Sequence, residues 1–220
     1  MTPPRQGDNT TQAMTRIIII GYMGAGKTTV GKALARELGL QFYDLDWYIE
    51  ARMHKTVPQL FAERGEQGFR QVERAMLHEA AEFEDVVLSC GGGTPCFFDN
   101  IDYMNSRGPV VYLKATPEVL HSHLMMGKTE RPLIKGKTGD ELTGFIARQL
   151  GEREPYYAKA RYTYDVNLLD SHGKVGLAVA GIRKLLGDAA GGNARTAGER
   201  LNHTHHRNPT TQRENEKVDH

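Results

Sequence analysis

Lys27 and Thr28 end the run Gly21-Tyr22-Met23-Gly24-Ala25-Gly26-Lys27-Thr28, which fits the pattern G-x-x-x-x-G-K-T. A lysine and a hydroxyl closing a glycine-rich turn suit the binding of a triphosphate. Backbone N–H groups of Gly24, Ala25, Gly26, Lys27, Thr28 and Thr29, together with the positive end of the following helix, converge on phosphate oxygens. Lys27 can reach the β- and γ-phosphates, and the Thr28 hydroxyl suits Mg²⁺. Such a loop works only between a strand and a helix N-terminus, and both flanks are present. Ile17 to Ile20 make a buried apolar strand, and Val30, Leu34 and Leu38 share one helical face up to Gly39.

Other groups could act beside a bound phosphate. Asp44 and Asp46 flank Leu45 where a second strand ends. Alternation in an extended segment puts both carboxylates on one side. One could hold Mg²⁺ through water, and the other could accept a hydrogen bond from a hydroxyl. Taken alone, Asp46 before Trp47-Tyr48-Ile49 equally reads as a helix N-cap. Arg70 lies beside Phe69, at the edge of a helical stripe formed by Phe69, Val72, Met76, Ala80 and Phe83. Glu73, three residues on, could hold its guanidinium, although an isolated Arg/Glu pair also fits a solvated helix face. Arg153 precedes Glu154-Pro155 at the expected end of a helix, where a cation favours the dipole.

Gly91, Gly92 and Gly93 follow an apolar strand directly, and three glycines in a row are costly to order. They expose backbone N–H groups and let a small ligand lie against the main chain. Cys90 and Cys96 flank them and read as small packed residues, because no His or Asp pairing accompanies either. Residues 127–138 form a glycine-containing basic loop in which Arg131 is flanked by Lys128, Lys135 and Lys137. A mobile loop carrying an arginine can close over ATP and supply charge to a phosphoryl transition state. By itself it is also an ordinary solvent-exposed loop.

The elements that must position these groups alternate along the chain. Strands are expected at 17–20, 41–44, 86–89, 110–113 and 162–166. Helices are expected after the phosphate loop and at 47–53, 57–63, 66–83, 117–125, 139–152 and 173–186, with a helical turn led by Pro155. That order implies a parallel α/β sheet with right-handed crossovers and ligands at the carboxyl ends of its strands. The chain has 220 residues, with 28 Lys+Arg against 27 Asp+Glu, so nothing suggests a nucleic-acid surface. No apolar run approaches the roughly 18 residues of a membrane span. Two cysteines and a polar N-terminus without a signal core fit a cytoplasmic protein. The expected organisation is a disordered extension at 1–15, one domain at 16–186 and a disordered polar tail at 187–220. His203, His205 and His206 in the tail lack a completing ligand set. No exposed apolar stripe suggests a large interface, so a monomer is expected.

Together these stretches resemble the shikimate kinase family: GYMGAGKTT (21–29), FYDLDWYIE (42–50), ERGEQGFRQVE (63–73), SCGGGTPC (89–96), ERPLI (130–134) and EREPYY (152–157). The phosphate loop is generic among nucleotide-binding proteins, whereas the ordered set of the other motifs is specific, and the likeness covers about 16–186. It implies a three-layer α/β/α P-loop kinase fold with a five-stranded parallel sheet in the order 2-3-1-4-5 and a mobile lid. It also implies transfer of the ATP γ-phosphate to the 3-hydroxyl of shikimate, an early step of aromatic amino-acid biosynthesis. Asp46 would then orient or deprotonate the accepting hydroxyl. Arg70 and Arg153 would hold the carboxylate, and Gly92, between Gly91 and Gly93, would donate its N–H. Thr28, and Asp44 through water, would hold Mg²⁺, while Lys27 and Arg131 would stabilise the transferring phosphoryl group. Two other readings fit parts of the pattern: another small-molecule P-loop kinase, such as a gluconate kinase, and a catalytically inactive ATP-binding regulator.

One departure concerns the base of the nucleotide. The family commonly carries an arginine six or seven residues before the loop arginine, stacked over adenine; that window here holds Leu124 and Met125. His121, His123 and Lys128 are the nearby polar candidates. ATP binding is therefore expected to rest on the phosphates. Turnover with GTP should be comparable to turnover with ATP in a steady-state assay, and strict ATP specificity would contradict this.

Overall fold

A computed structural model describes residues 16–126, 136–167 and 172–199. Residues 1–15, the loop residues 127–135 with Lys128 and Arg131, residues 168–171 and the chain from 200 lie outside the described residues. The element order is β1 (Arg16–Ile20), α1 (Lys27–Leu38), β2 (Gln41–Asp44), α2 (Leu45–Met53), α3 (Val57–Ala80), β3 (Val86–Ser89), a 3₁₀ turn (Thr94–Cys96), α4 (Asn100–Arg107), β4 (Val110–Lys114), α5 (Pro117–Met126), α6 (Gly139–Tyr157), β5 (Tyr162–Asp165) and α7 (His172–Glu199). The strands form one sheet in the order β2-β3-β1-β4-β5 with every pairing parallel, as expected. The chain divides into two units, Met1–Arg183 and Lys184–His220; all strands and all described site residues lie in the first.

The central strand explains the layering. Ile17, Ile18, Ile19 and Ile20 are all buried, which demands helices on both faces. Pairing aligns Ile19 with Ser89 and Asp44 with the same Ser89. The ends of β1, β2 and β3 thus stand side by side, and the segments leaving them begin at one level. The order also turns back at β1, where β3 lies on one side and β4 on the other. A crevice at such a switch point is where open α/β sheets hold ligands.

Several boundaries differ from the sequence reading, each for a local reason. Helix α2 starts at Leu45, because the Asp44 side chain accepts from the Asp46 N–H and caps it. Asp44 is therefore the cap, and Asp46 sits in the first turn rather than in an extended segment. The expected helices 57–63 and 66–83 are one kinked element, α3, opened by a Thr56/Gln59 capping box and bent at Gly65 (φ 64°). Its buried face runs through Leu60, Phe69, Glu73, Leu77 and Ala80, not through Val72 and Met76.

Helix α6 does not stop near 152 but continues through Pro155 to Tyr157. The Tyr112 hydroxyl and the Lys114 ammonium both donate to the Glu154 carboxylate at 2.8 Å, and Tyr157 is fully buried. Those anchors hold the last turn against a proline penalty of about 3 kcal/mol. Helix α4 and the 3₁₀ turn were not anticipated. Helix α7 continues past 186 to Glu199.

Packing of α1 on the sheet depends on Gly31, where a Cβ would lie 2.6 Å from the Phe42 ring. Gly144 on α6 is exposed, with nothing within 4 Å of a Cβ built there. Gly31→Ala is expected to destabilise by about 1–3 kcal/mol through overpacking. Gly144→Ala should instead stabilise by up to about 1 kcal/mol. Urea unfolding of both variants checks the sign, and a stabilised Gly31→Ala would contradict the packing argument.

Candidate active site

The phosphate loop joins β1 to α1. Gly24 (φ 87°) and Gly26 (φ 83°) adopt the left-handed backbone that the loop requires, and Gly26 is the N-cap of α1. Lys27 Nζ donates to the carbonyls of Gly21 (2.9 Å) and Tyr22 (3.1 Å), so it is folded back over the loop. The Thr28 hydroxyl donates to Asp44 Oδ2 at 3.1 Å. This links the start of α1 to the end of β2. A hydroxyl and a carboxylate so placed are hard oxygen donors that fit Mg²⁺. Among the described residues no group of three His, Cys, Asp or Glu could hold a metal, so phosphates and waters must complete such a shell.

The second half of the site forms where the chain leaves β3. A Cβ on Gly91 would lie 3.1 Å from Asp46 Oδ1. One on Gly92 would lie 3.3 Å from Arg153 Nη1, and one on Gly93 would lie 2.7 Å from Arg70 Nη2. Each glycine thus makes room for a different charged side chain, brought from α2, α6 and α3 in turn. The structure gathers Asp46, Arg70 and Arg153 around Gly91–Gly93 beside the phosphate loop. The same Gly92 position is 3.3 Å from the Gly21 carbonyl and 3.5 Å from the Met23 nitrogen.

Both arginines are held from behind. Arg70 Nη1 donates to Glu73 Oε2 at 2.8 Å, and Nη2 reaches Glu66 at 3.4 Å. Its guanidinium lies 4.0 Å from the Phe97 ring centre and 5.3 Å from that of Phe69. Glu73 is buried, and its other oxygen accepts from the Thr94 hydroxyl at 2.7 Å; Asn100 in turn donates to the Thr94 carbonyl at 2.9 Å. Arg153 lies over the Tyr22 ring and beside the Tyr157 hydroxyl, which donates to the Gly92 carbonyl at 2.5 Å. Sequence reasoning placed Glu73 beside Arg70 but missed Thr94, Asn100, Phe97, Tyr22 and Tyr157. Only Tyr157 carries a local signal, since it lies one helical turn beyond Arg153.

Burial, then the neighbouring Asp44 and Glu73 carboxylates, push Asp46 from the usual 3.8 up to about 6, against the pull of Lys27. Burial likewise raises the Cys96 thiol to about 11 and the Cys90 thiol well above its usual range. Neither is a nucleophile at neutral pH. Of the candidates for contact with the base, His123 bonds the Gly24 carbonyl at 2.9 Å and His121 bonds the Thr143 hydroxyl at 2.8 Å.

A family model described as shikimate kinase matches residues 23–175. The shikimate kinase of Phocaeicola vulgatus is 56% identical over 173 residues, covering 79% of this chain and 99% of that protein. A crystal structure of shikimate kinase from Bacteroides thetaiotaomicron superposes with a TM-score of 0.77 at 52% identity, covering 79% of this chain and 99% of the other. A shikimate kinase from Acinetobacter baumannii, solved in complex with shikimate, is 33% identical with a TM-score of 0.70, covering 80% of this chain and 95% of the other.

The raised Asp46 carboxyl has a signed consequence for stability. Its proton is held more tightly in the folded chain, so its contribution is complete below about pH 4 and is lost as pH rises through about 6. Asp46→Asn does not suffer that loss. In metal-free buffer near neutral pH the variant should be more stable than the wild type by about 2 kcal/mol, and the gap should close toward about pH 4. Urea unfolding across that range measures it, and a variant less stable at neutral pH would contradict the assignment.

Proposed function

The chain belongs to the shikimate kinase family and transfers the γ-phosphate of ATP to the 3-hydroxyl of shikimate; we propose that the residues gathered above divide this reaction as follows. Arg70 and Arg153 hold the shikimate carboxylate, a task suited to guanidinium forks. Glu73 and Glu66 hold the Arg70 guanidinium from behind, and both of its terminal nitrogens lie within 3 Å of a Cβ built on Gly93. Asp46 accepts the hydrogen bond of the 3-hydroxyl and takes its proton as the new O–P bond forms and the bond from the γ-phosphorus to the β-γ bridging oxygen breaks. A carboxylate titrating near 6 is closer to the working pH than an ordinary aspartate, which favours this role.

The N–H groups from Gly24 to Thr29 hold the phosphates, and Lys27 turns from its carbonyl partners to the γ-phosphate. Thr28, and Asp44 through water, hold Mg²⁺. When bound, the ion neutralises charge on the phosphate oxygens. Arg131, in the ERPLI stretch, is proposed to add positive charge as the transition state forms; an arginine of this kind contributes about 10³–10⁵ in rate in related enzymes. The Gly92 N–H is proposed to donate to the substrate, flanked by Gly91 and Gly93.

The observation that carries the acceptor half is the placing of Asp46, Arg153 and Arg70 against three successive glycines. We also propose that the enzyme acts as a monomer. No described helix is long and apolar enough to cross a membrane; a cytoplasmic enzyme that binds neither membrane nor nucleic acid is proposed.

An ADP-release assay with Mg-ATP tests the reading. Shikimate should be turned over, and Asp46→Asn should abolish turnover. Arg70→Ala and Arg153→Ala should each raise KM for shikimate by about 10–100-fold, the loss of charge-assisted hydrogen bonds, with KM for ATP nearly unchanged. Turnover of gluconate but not shikimate would favour a gluconate kinase, and ATP binding without any turnover would favour an inactive regulator.

A further inference from the structure

The backbone of the phosphate loop is held by a side chain from outside its own motif. His123 on α5 places Nδ1 2.9 Å from the Gly24 carbonyl oxygen, ninety-nine positions away in sequence. Helix α5 meets the loop at that residue: a Cβ on Gly24 would lie 3.2 Å from Leu124 Cγ and 3.3 Å from the Leu120 carbonyl. A carbonyl oxygen only accepts, so His123 carries its proton on Nδ1.

The other edge of the same peptide faces the opposite way. The Ala25 N–H donates to the Tyr22 carbonyl at 3.2 Å, and Lys27 Nζ meets that same oxygen at 3.1 Å. In a trans peptide the C=O and the following N–H point in opposite directions. The Gly24–Ala25 peptide therefore turns its N–H into the loop, toward the Tyr22 carbonyl that Lys27 also contacts, and its oxygen toward α5. Orientation matters here because a carbonyl oxygen turned inward would set partial negative charge against the phosphates. Gly24, at φ 87°, has no side chain to resist that rotation.

We propose that His123 is a positioning residue of the donor site: it holds the Gly24 carbonyl outward, so that the N–H edge of the Gly24–Ala25 peptide faces the phosphates. This rests on the donor half of the proposed site. It also accounts for where His123 points, which is to the loop rather than to a nucleotide base. The residue acts through the backbone and touches no reacting atom.

Calorimetric titration of Mg-ATP and, separately, of shikimate into full-length wild type, His123→Leu and His123→Asn provides the test. Leucine fills the space but cannot donate; asparagine places an N–H near the position of Nδ1. His123→Leu is expected to weaken Mg-ATP binding about fivefold, the equivalent of one net hydrogen bond, with shikimate affinity and melting temperature nearly unchanged. His123→Asn should restore most of the loss, and ¹⁵N spectra of the wild-type imidazole should show the proton on Nδ1. Unchanged Mg-ATP affinity in His123→Leu, equal weakening of both substrates, no rescue by asparagine, or a proton on Nε2 alone would each overturn the proposal. Absence of Mg-ATP binding by the wild type would instead overturn the donor site on which it rests.

Discussion

The missing Cβ atoms at 91, 92 and 93 are the constraint on which the acceptor half of the site depends. Three charged groups from three helices approach one short segment of backbone, each at a distance a methyl group would occupy. A glycine is less stable than alanine in ordered structure by roughly 0.5–1 kcal/mol, and here three are used in succession. The return is geometric. An aspartate and two arginines can lie around backbone that is itself free to touch a ligand. The position of β3 makes this possible, because its neighbours in the sheet are β1 and β2, whose carboxyl ends carry the phosphate loop and Asp44.

Charge is distributed so that each group keeps a separate task. Glu73 is buried yet satisfied, accepting from Arg70 on one side and from Thr94 on the other. A buried ion pair adds little net stability, but breaking it would leave an uncompensated charge, so the pair fixes geometry more than it strengthens the fold. Asn100 extends the same chain to α4, which gives that short helix a bearing on the site. Asp46 is treated differently. Its burial and its acidic neighbours outweigh Lys27, so its carboxylate is costly to ionise and correspondingly more basic. An acid paired within the fold and the acid proposed to meet the hydroxyl thus lie close together, and partnership separates them.

Legibility in the sequence follows from whether a feature is encoded locally. Strand β3 and the cap at Gly39 match their expected bounds because a short apolar run and a left-handed glycine are local signals. The face of α3 was misplaced because apolar periodicity does not register Glu73, a buried carboxylate paired across tertiary space. Helix α6 was cut short for a related reason. Pro155 predicts a stop, while Tyr112 and Lys114, forty residues away, hold the turn that follows. Asp44 and Asp46 were recognised as a pair, but two acids one residue apart leave the helix start ambiguous. The cap took the first of them.

The two halves of the site also differ in material. The donor side is mostly backbone, so a contiguous motif encodes it and the sequence reveals it at once. The acceptor side is mostly side chains drawn from α2, α3 and α6, and only the sheet assembles it. They meet where a Cβ on Gly92 would approach the Gly21 carbonyl and the Met23 nitrogen, at 3.3 and 3.5 Å. Phosphoryl transfer needs its acceptor oxygen and its phosphorus in near-attack geometry, and a misplacement of about 1 Å can cost a hundredfold in rate. A Cβ at 92 would press on the Gly21 carbonyl, which would have to give by a few tenths of an ångström. On the proposed division of roles, the middle glycine therefore does more than admit Arg153: it bears on how closely the phosphate loop and the proposed acceptor pocket approach.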